Sequence, residues 1–421
     1  MSATKTHDIG ETAKSPIKYT WLAMNLILDI FSLSRLYLII GAGLATILMN
    51  GCSTSPKQPE IDHEKIKQFA SRGYDSGIAY ATSITKSSLN TGNGFCPITI
   101  IQPSREGKYP LVIYMPGLGE SSDAAADMRN AWAKSGYVVL SLQPLEDDVN
   151  IWSSKAARRG DFTFIRHERY SSEVISERLN VLKNSIQYLK QRIESGDSIF
   201  QQIDLSSIAM VGFDIGASSA MIVAGENVPN ASIARLPVHI TGAIALSPYA
   251  DFSGSEFNAR YHNINMPVLS ITSETDSDAH EKVAPSLHQV PFQYMPPGNK
   301  YLLLLVGASH SVIGNDNSAK SDNEGDDNAQ QTRHGSTSEG SSKGRGNRRG
   351  KKSSNSGNDS ELSSKREAVN SPTQRAIMGV AIEQVTTAFL NAYIKKDQLS
   401  LEWLKKDARP WLNTMGQLKE K

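Results

Sequence analysis

The chain has 421 residues, with 44 Lys+Arg against 43 Asp+Glu and a formal net charge of +1. That balance supplies no global electrostatic drive towards nucleic acid, and two cysteines exclude a disulfide-stapled scaffold. Hydrophobic residues make up 39% and aromatics 7%, below the roughly 45–50% apolar content of ordinary globular chains, so part of the chain carries no core.

Residues 36–49 read LYLIIGAGLATILM without a charge, with Arg35 before the run and Gly51-Cys52 after it. A basic flank, a short apolar run and small residues at its end make a secretory-signal pattern. The stretch LMNGC-STSP resembles a bacterial lipoprotein signal, with Met49 and Asn50 where Leu and a small residue are usual. The resemblance implies a leader over 1–51, lipid on Cys52 and a polar tether over 52–60. Ser53, rather than Asp, then implies an outer-membrane place in the bacterial envelope, on its periplasmic side or surface. An uncleaved anchor over 21–49 competes with this reading. Asp29 and Arg35 interrupt it, whereas a spanning helix wants about 20 mostly apolar residues.

Beyond the tether, short β-rich runs alternate with helical patterns. The runs are 110–114 (PLVIY), 137–142 (YVVLSL), 208–211 (IAMV), 243–246 (AIAL), 268–271 (VLSI) and 301–306 (YLLLLV). Unbroken rather than alternating apolarity predicts parallel strands buried on both faces. Residues 77–85 and 97–102 are expected to pair antiparallel at the sheet edge. Helices are predicted over 122–134, 172–192, 217–224 and 376–393; Val174, Leu179, Leu182, Ile186 and Leu189 keep helical spacing. The fold class is α/β: a mostly parallel central sheet flanked by helices, with no large cap.

From 315 to 370 the composition turns to Ser, Asn, Gly, Asp, Lys and Arg, with Leu362 and Val369 as the large apolar residues. Such a segment buries too little surface to offset its ordering entropy, so a disordered insertion is expected. Acidic residues lead and basic ones follow, from Asp316 to Asp327 and from Lys343 to Lys352. A solvated, self-neutralising insertion is the simplest reading, with polyanion binding by the basic half as the alternative. One α/β domain, 61–314 and 371–421, is then interrupted by it.

Open α/β sheets bind ligands beyond the carboxyl ends of their strands. Three strand ends carry chemistry here: Gly212-Phe213-Asp214-Ile215-Gly216, then Thr272-Ser273-Glu274-Thr275-Asp276-Ser277-Asp278, then Gly307-Ala308-Ser309-His310. Elbow residue, acid and histidine follow one another as in the α/β-hydrolase triad. With YPLVIYMPGLGESS, SGYVVLSLQP, MVGFDIGASSAM, MPVLSITSETDSDA, VGASHSVIG and VTTAFLNAYIKKDQLSLEWL, the chain resembles the α/β-hydrolase superfamily. It is most similar to the dienelactone-hydrolase-like, polyester-hydrolase-like and platelet-activating-factor-acetylhydrolase-like esterases. The resemblance implies Asp214 at the nucleophile position, His310 as base, and Asp276 (with Asp278 as second choice) as its carboxylate. It implies oxyanion donors at the N–H groups of Leu118 and Ile215. Gly212 and Gly216 are expected to relieve crowding at the elbow.

Those esterases place Ser or Cys where this chain has Asp214. An Asp nucleophile attacks an sp³ carbon to form an alkyl ester that activated water then hydrolyses. Its attack on a carboxylic ester would give an anhydride instead. Between Leu246 and Val268 the connection is too short for a cap, which leaves 146–170, with Trp152, Arg158, Arg159, Phe162 and Phe164, as the candidate roof; Tyr249 or Tyr261 is a candidate hydrogen-bond donor. No H-E-x-x-H, C-x-x-C or complete dinucleotide glycine fingerprint occurs, so neither metal nor cofactor is expected. The expectation is an envelope-anchored hydrolase of a small molecule, ester-like or otherwise, held to the membrane by lipid and without a specific nucleic-acid partner. A non-catalytic lipoprotein of the same fold, with a binding or envelope role, is the alternative.

Overall fold

The structure is a computed structural model that describes residues 60–92, 94–231, 235–250, 256–277, 283–315 and 371–421. The expected leader, Cys52, nearly all of the tether, the insertion beyond Asn315 and Asp278 lie outside the described residues.

Nine strands form one sheet: β1 Thr82–Asn90, β2 Phe95–Pro103, β3 Tyr109–Met115, β4 Val138–Leu142, β5 Ile203–Phe213, β6 Gly242–Leu246, β7 Val268–Ser273, β8 Lys300–Leu305 and β9 Gly416–Glu420. Their order across the sheet is β1-β2-β4-β3-β5-β6-β7-β8-β9. From β4 to β8 every neighbouring pair is parallel. Both margins are antiparallel: β1 on β2, β2 on β4, and β9 on β8. The fold is α/β, a mostly parallel central sheet with helices on both faces.

Strand β3 shows how the two faces are divided. Successive side chains of a strand point to opposite faces, so Val112 and Tyr114 join one core while Leu111, Ile113 and Met115 join the other. Helices α1 (His63–Ser71), α2 (Ala126–Lys134) and the C-terminal helix Pro372–Tyr393 contribute Phe69, Trp132 and Phe389 to the first core. Trp132 Nε1 donates to Thr386 Oγ1 at 3.0 Å, tying α2 to that C-terminal helix. The second core is closed by the long helix Ser172–Glu194, through Leu179, Leu182, Ile186 and Leu189. Each such buried leucine or isoleucine stabilises the fold by about 1.5–3 kcal/mol. Burial on both faces is why the central strands read as unbroken apolar runs.

The edge hairpin pairs as expected but lies further along the chain, at Thr82–Asn90 rather than 77–85. Pairing runs from Thr82↔Pro103 to Asn90↔Phe95, so the tight connection after Asn90 sets the register. Strand β9 was not legible in the sequence. GQLKE carries one large apolar residue, and it becomes a strand because β8 offers an open edge; Leu418 turns inward to the core.

Candidate active site

Strand β5 ends at Phe213, and the chain turns straight into helix Ile215–Ala224. Asp214 occupies the turn with φ 53° and ψ −113°, a backbone conformation that costs a non-glycine residue energy and persists only when its surroundings enforce it. The two elbow glycines are sterically required. A Cβ on Gly212 would lie 2.0 Å from the Gly216 carbonyl oxygen, and one on Gly216 would lie 1.9 Å from the Met115 carbonyl oxygen. The Asp214 N–H donates to the Leu246 carbonyl at 3.1 Å, which extends the sheet ladder into the turn.

Asp214 is 4% exposed. Its Oδ2 accepts the Leu118 N–H at 3.1 Å, and its Oδ1 accepts the Tyr170 hydroxyl. Arg166 Nη1 lies 3.9 Å from Oδ1. Burial pushes the Asp214 pKa up, but Arg166, His310, Tyr170 and the Leu118 N–H together outweigh it and hold the pKa below the ordinary carboxylate value. Asp214 is therefore ionised at neutral pH. The other expected donor residue, Ile215, heads the helix that follows and is fully buried.

Three strands along the sheet, His310 opens a short helical turn (His310–Ile313) after β8. Its Nδ1 lies 2.9 Å from Asp276 Oδ1. Asp276 follows β7 and is fully buried. Its Oδ2 accepts the Ser247 hydroxyl at 2.8 Å and the Thr272 hydroxyl at 2.7 Å. Burial works against its charge, but His310, His288 and Thr272 overcome it, so its pKa too lies below the ordinary value. An ionised Asp276 only accepts hydrogen bonds, so the His310 nitrogen that faces it, Nδ1, carries a proton. The Phe213 ring, one residue before Asp214, packs 4.7 Å from the His310 ring. The structure thus brings Asp214, His310, Asp276 and Leu118 to one end of the sheet.

The turn that carries Leu118 is fixed by a buried polar network. Gln143 Nε2 donates to the Gly117 carbonyl at 2.7 Å and to the Asp147 carbonyl at 2.9 Å, and the Gly119 N–H donates to that Asp147 carbonyl at 2.8 Å. Arg178 Nη2 donates to the Pro116 carbonyl at 3.1 Å and to Gln143 Oε1 at 3.0 Å. The fully buried Asp147 carboxylate neutralises Arg178 at 2.5 Å and Arg169 at 2.6 Å. A satisfied network of this kind holds a backbone donor rigidly.

Residues 146–170 reach the site through Trp152, as expected, and through Arg166 and Tyr170, which were not named. Arg158 and Arg159 are exposed, and Phe164 is 55% exposed. Instead Arg166 lies over the rings of Tyr170 at 4.2 Å and Tyr249 at 4.9 Å. Arg166 and Tyr170 are four residues apart across the end of helix Phe162–Arg169, so they share a face. Trp152 packs on Gly119, where a Cβ would lie 2.1 Å from its Nε1. Arg166, Tyr170, Ser247 and His288 escaped the sequence reading. The signal for the first two was their spacing within the segment already marked as a roof. Ser247 is marked only by its tertiary position, with φ 54° at the end of β6.

Among the described residues, no group of three or more His, Cys, Asp or Glu is placed to hold a metal ion, and no helix is long and apolar enough to cross a membrane. Cys96 is buried and free, its thiol pushed up to about 12 by burial, and is chemically quiet. No protein-family model matches the chain, and no curated protein matches it.

Proposed function

We propose that this protein is a hydrolase of the α/β-hydrolase type in which Asp214 is the nucleophile, His310 the base and Asp276 the residue that orients and charges the base. The reading rests chiefly on one observation: an ionised Asp214 on a strained strand-to-helix turn, with Oδ2 on the Leu118 N–H and the His310–Asp276 pair at the same sheet end. The chain order nucleophile, acid, histidine supports it.

The chemistry follows from the two carboxylate oxygens. Oδ1 attacks an electrophilic sp³ carbon; the bond to the leaving group breaks and the leaving group takes the electron pair. Asp214 becomes a neutral alkyl ester, and Arg166 then faces the departing anion instead of a carboxylate. His310 Nε2 takes a proton from water, and the water oxygen attacks Asp214 Cγ. The resulting oxyanion sits at the Leu118 N–H, where a working donor lowers the barrier by about 2.7–4 kcal/mol. Collapse expels an alkoxide that takes the proton from His310 and leaves as an alcohol, and the new carboxyl group loses its proton to solvent, which restores a carboxylate carrying one oxygen from water. The test is a single turnover in heavy-oxygen water with haloalkanes, epoxides and esters. Label in the Asp214 carboxylate is expected; no turnover and no label across the panel would remove the proposal.

One observation favours a second reading, a non-catalytic lipoprotein that binds a ligand. Both Asp214 oxygens are already engaged, by Leu118 and Tyr170, under the Arg166 guanidinium. Reversible ligand binding without label would favour it. In either case we place the protein in the bacterial envelope through lipid on Cys52; Cys52→Ala should move it from the membrane to the soluble fraction.

A further inference from the structure

Ser247 follows strand β6 and is buried, and its N–H donates to the Ile271 carbonyl of β7 at 2.7 Å. Its φ of 54° is one that glycine adopts freely and serine only at a cost. The chain nevertheless keeps a side chain there, and that hydroxyl has three polar neighbours. Oγ lies 2.8 Å from Asp276 Oδ2, 3.1 Å from His310 Nδ1 and 3.3 Å from His288 Nδ1.

These contacts decide where each proton lies. A hydroxyl has one hydrogen to give and two lone pairs to offer. Asp276 is ionised and only accepts, so the Ser247 hydrogen goes to its Oδ2. The lone pairs then face the two histidines, and each Nδ1 supplies a hydrogen. For His310 this agrees with Asp276 Oδ1 at 2.9 Å. For His288 it agrees with the Pro248 carbonyl oxygen at 3.1 Å, which also only accepts. The hydroxyl is thereby saturated, with one bond given and two received. His288 is fully buried, and burial holds its pKa below the ordinary histidine value, so it is neutral at neutral pH. It lies 3.7 Å from Asp276 Oδ2 without pairing a second imidazolium to that carboxylate.

We infer that Ser247, backed by His288, is a positioning residue for the base: its saturated hydroxyl holds the Asp276 carboxylate and the His310 Nδ1–H in one arrangement. The inference rests on the proposed role of His310 and adds the residues that set its geometry. A neutral His310 with its hydrogen on Nδ1 carries none on Nε2, the form in which the proposed reaction uses it. His288 fills the second lone pair of Ser247, so the hydroxyl hydrogen stays on Asp276 rather than turning towards a histidine. Asp276 then presents Oδ1 to His310 while Ser247 and Thr272 hold Oδ2.

The first measurement needs no turnover: ring-nitrogen resonances of the full chain labelled with nitrogen-15 histidine, at neutral pH. His288 should be neutral with its hydrogen on Nδ1. A hydrogen on its Nε2, or on both nitrogens, overturns the inference. In Ser247→Gly, which relieves the backbone, and in Ser247→Ala, which keeps the Cβ, the His310 Nδ1 resonance should shift, because one of its two acceptors is gone. An unmoved resonance in both variants overturns the inference. The second measurement takes whichever haloalkane, epoxide or ester the wild type turns over. Both variants should lose kcat by about ten- to a hundredfold, the scale of a base displaced by up to about 1 Å, with KM nearly kept. Unchanged kcat in both, or a loss in Ser247→Gly alone, overturns the inference and leaves the hydrolase reading standing. The expected nitrogen resonances without turnover of any substrate remove the hydrolase reading and keep Ser247 as the residue that holds the Asp276–His310 pair.

Discussion

Leu118 donates its backbone N–H to Asp214 Oδ2 at 3.1 Å, across a gap of 96 residues in the chain. The turn before helix α2 and the turn after β5 are thereby joined through one carboxylate. A neutral side chain at position 214 would receive that bond less strongly, because charge-assisted hydrogen bonds are roughly twice as strong as neutral ones. The charge on Asp214 is part of how these two turns are held together.

Arg166 is expected to sustain that charge. Burial opposes ionisation of Asp214, and the nearby guanidinium is the foremost influence against it. Because the folded pKa is depressed, ionised Asp214 contributes stability above its unfolded pKa, and that contribution is lost as pH falls through the folded pKa. Arg166→Gln should raise the pKa, since burial then meets less opposition. Carboxyl carbon resonances followed through a pH titration check this; an unshifted Asp214 resonance would mean that Arg166 does not govern the charge.

The Asp147–Arg178 pair should prove costly to break singly. Arg178→Leu leaves the fully buried Asp147 with Arg169 alone and frees the Pro116 carbonyl and Gln143. Removing one partner of a buried pair typically costs about 3–5 kcal/mol. Denaturant unfolding of Arg178→Leu should show a loss of that order, with part of it recovered in the double variant Asp147→Leu/Arg178→Leu. A loss below about 1 kcal/mol would show that the network does not support the Leu118 turn.

Glu383, on the C-terminal helix, should make stability depend on pH near neutrality. Burial raises its pKa to about 7, with Lys134 opposing and Asp127 assisting. The folded state therefore holds a proton that the unfolded state releases at lower pH. Stability from this group is complete below the unfolded pKa and is lost as pH rises through about 7. Glu383→Gln should remove that loss. Melting temperatures of both proteins between acidic and mildly alkaline buffer test it, and their difference cancels other titrating groups, His288 among them. Equal pH dependence in the two proteins would contradict the assignment.

The sequence by itself determined the class of fold and the end of the sheet at which Asp214, Asp276 and His310 gather. Strands buried on both faces leave an unbroken apolar run, and a run such as YLLLLV predicts its burial whatever surrounds it. The glycines at 212 and 216 were equally legible, because an elbow at this position tolerates no Cβ there. Asp276 was named from its spacing after β7, and the structure places it on His310; its rival Asp278 lies outside the described residues. Strand β9 was decided only by tertiary structure, since a polar edge strand takes its conformation from its neighbour. The same holds for the surroundings of Asp214. Arg166, Tyr170 and Ser247 are common residue types brought to the site by helix packing and strand register, which their local spacing alone does not settle, and Tyr249, a candidate donor in the sequence, meets Tyr170 ring to ring. Local pattern reports what one element buries. The charge state of a carboxylate depends on what several elements place around it, and that is settled only when they pack.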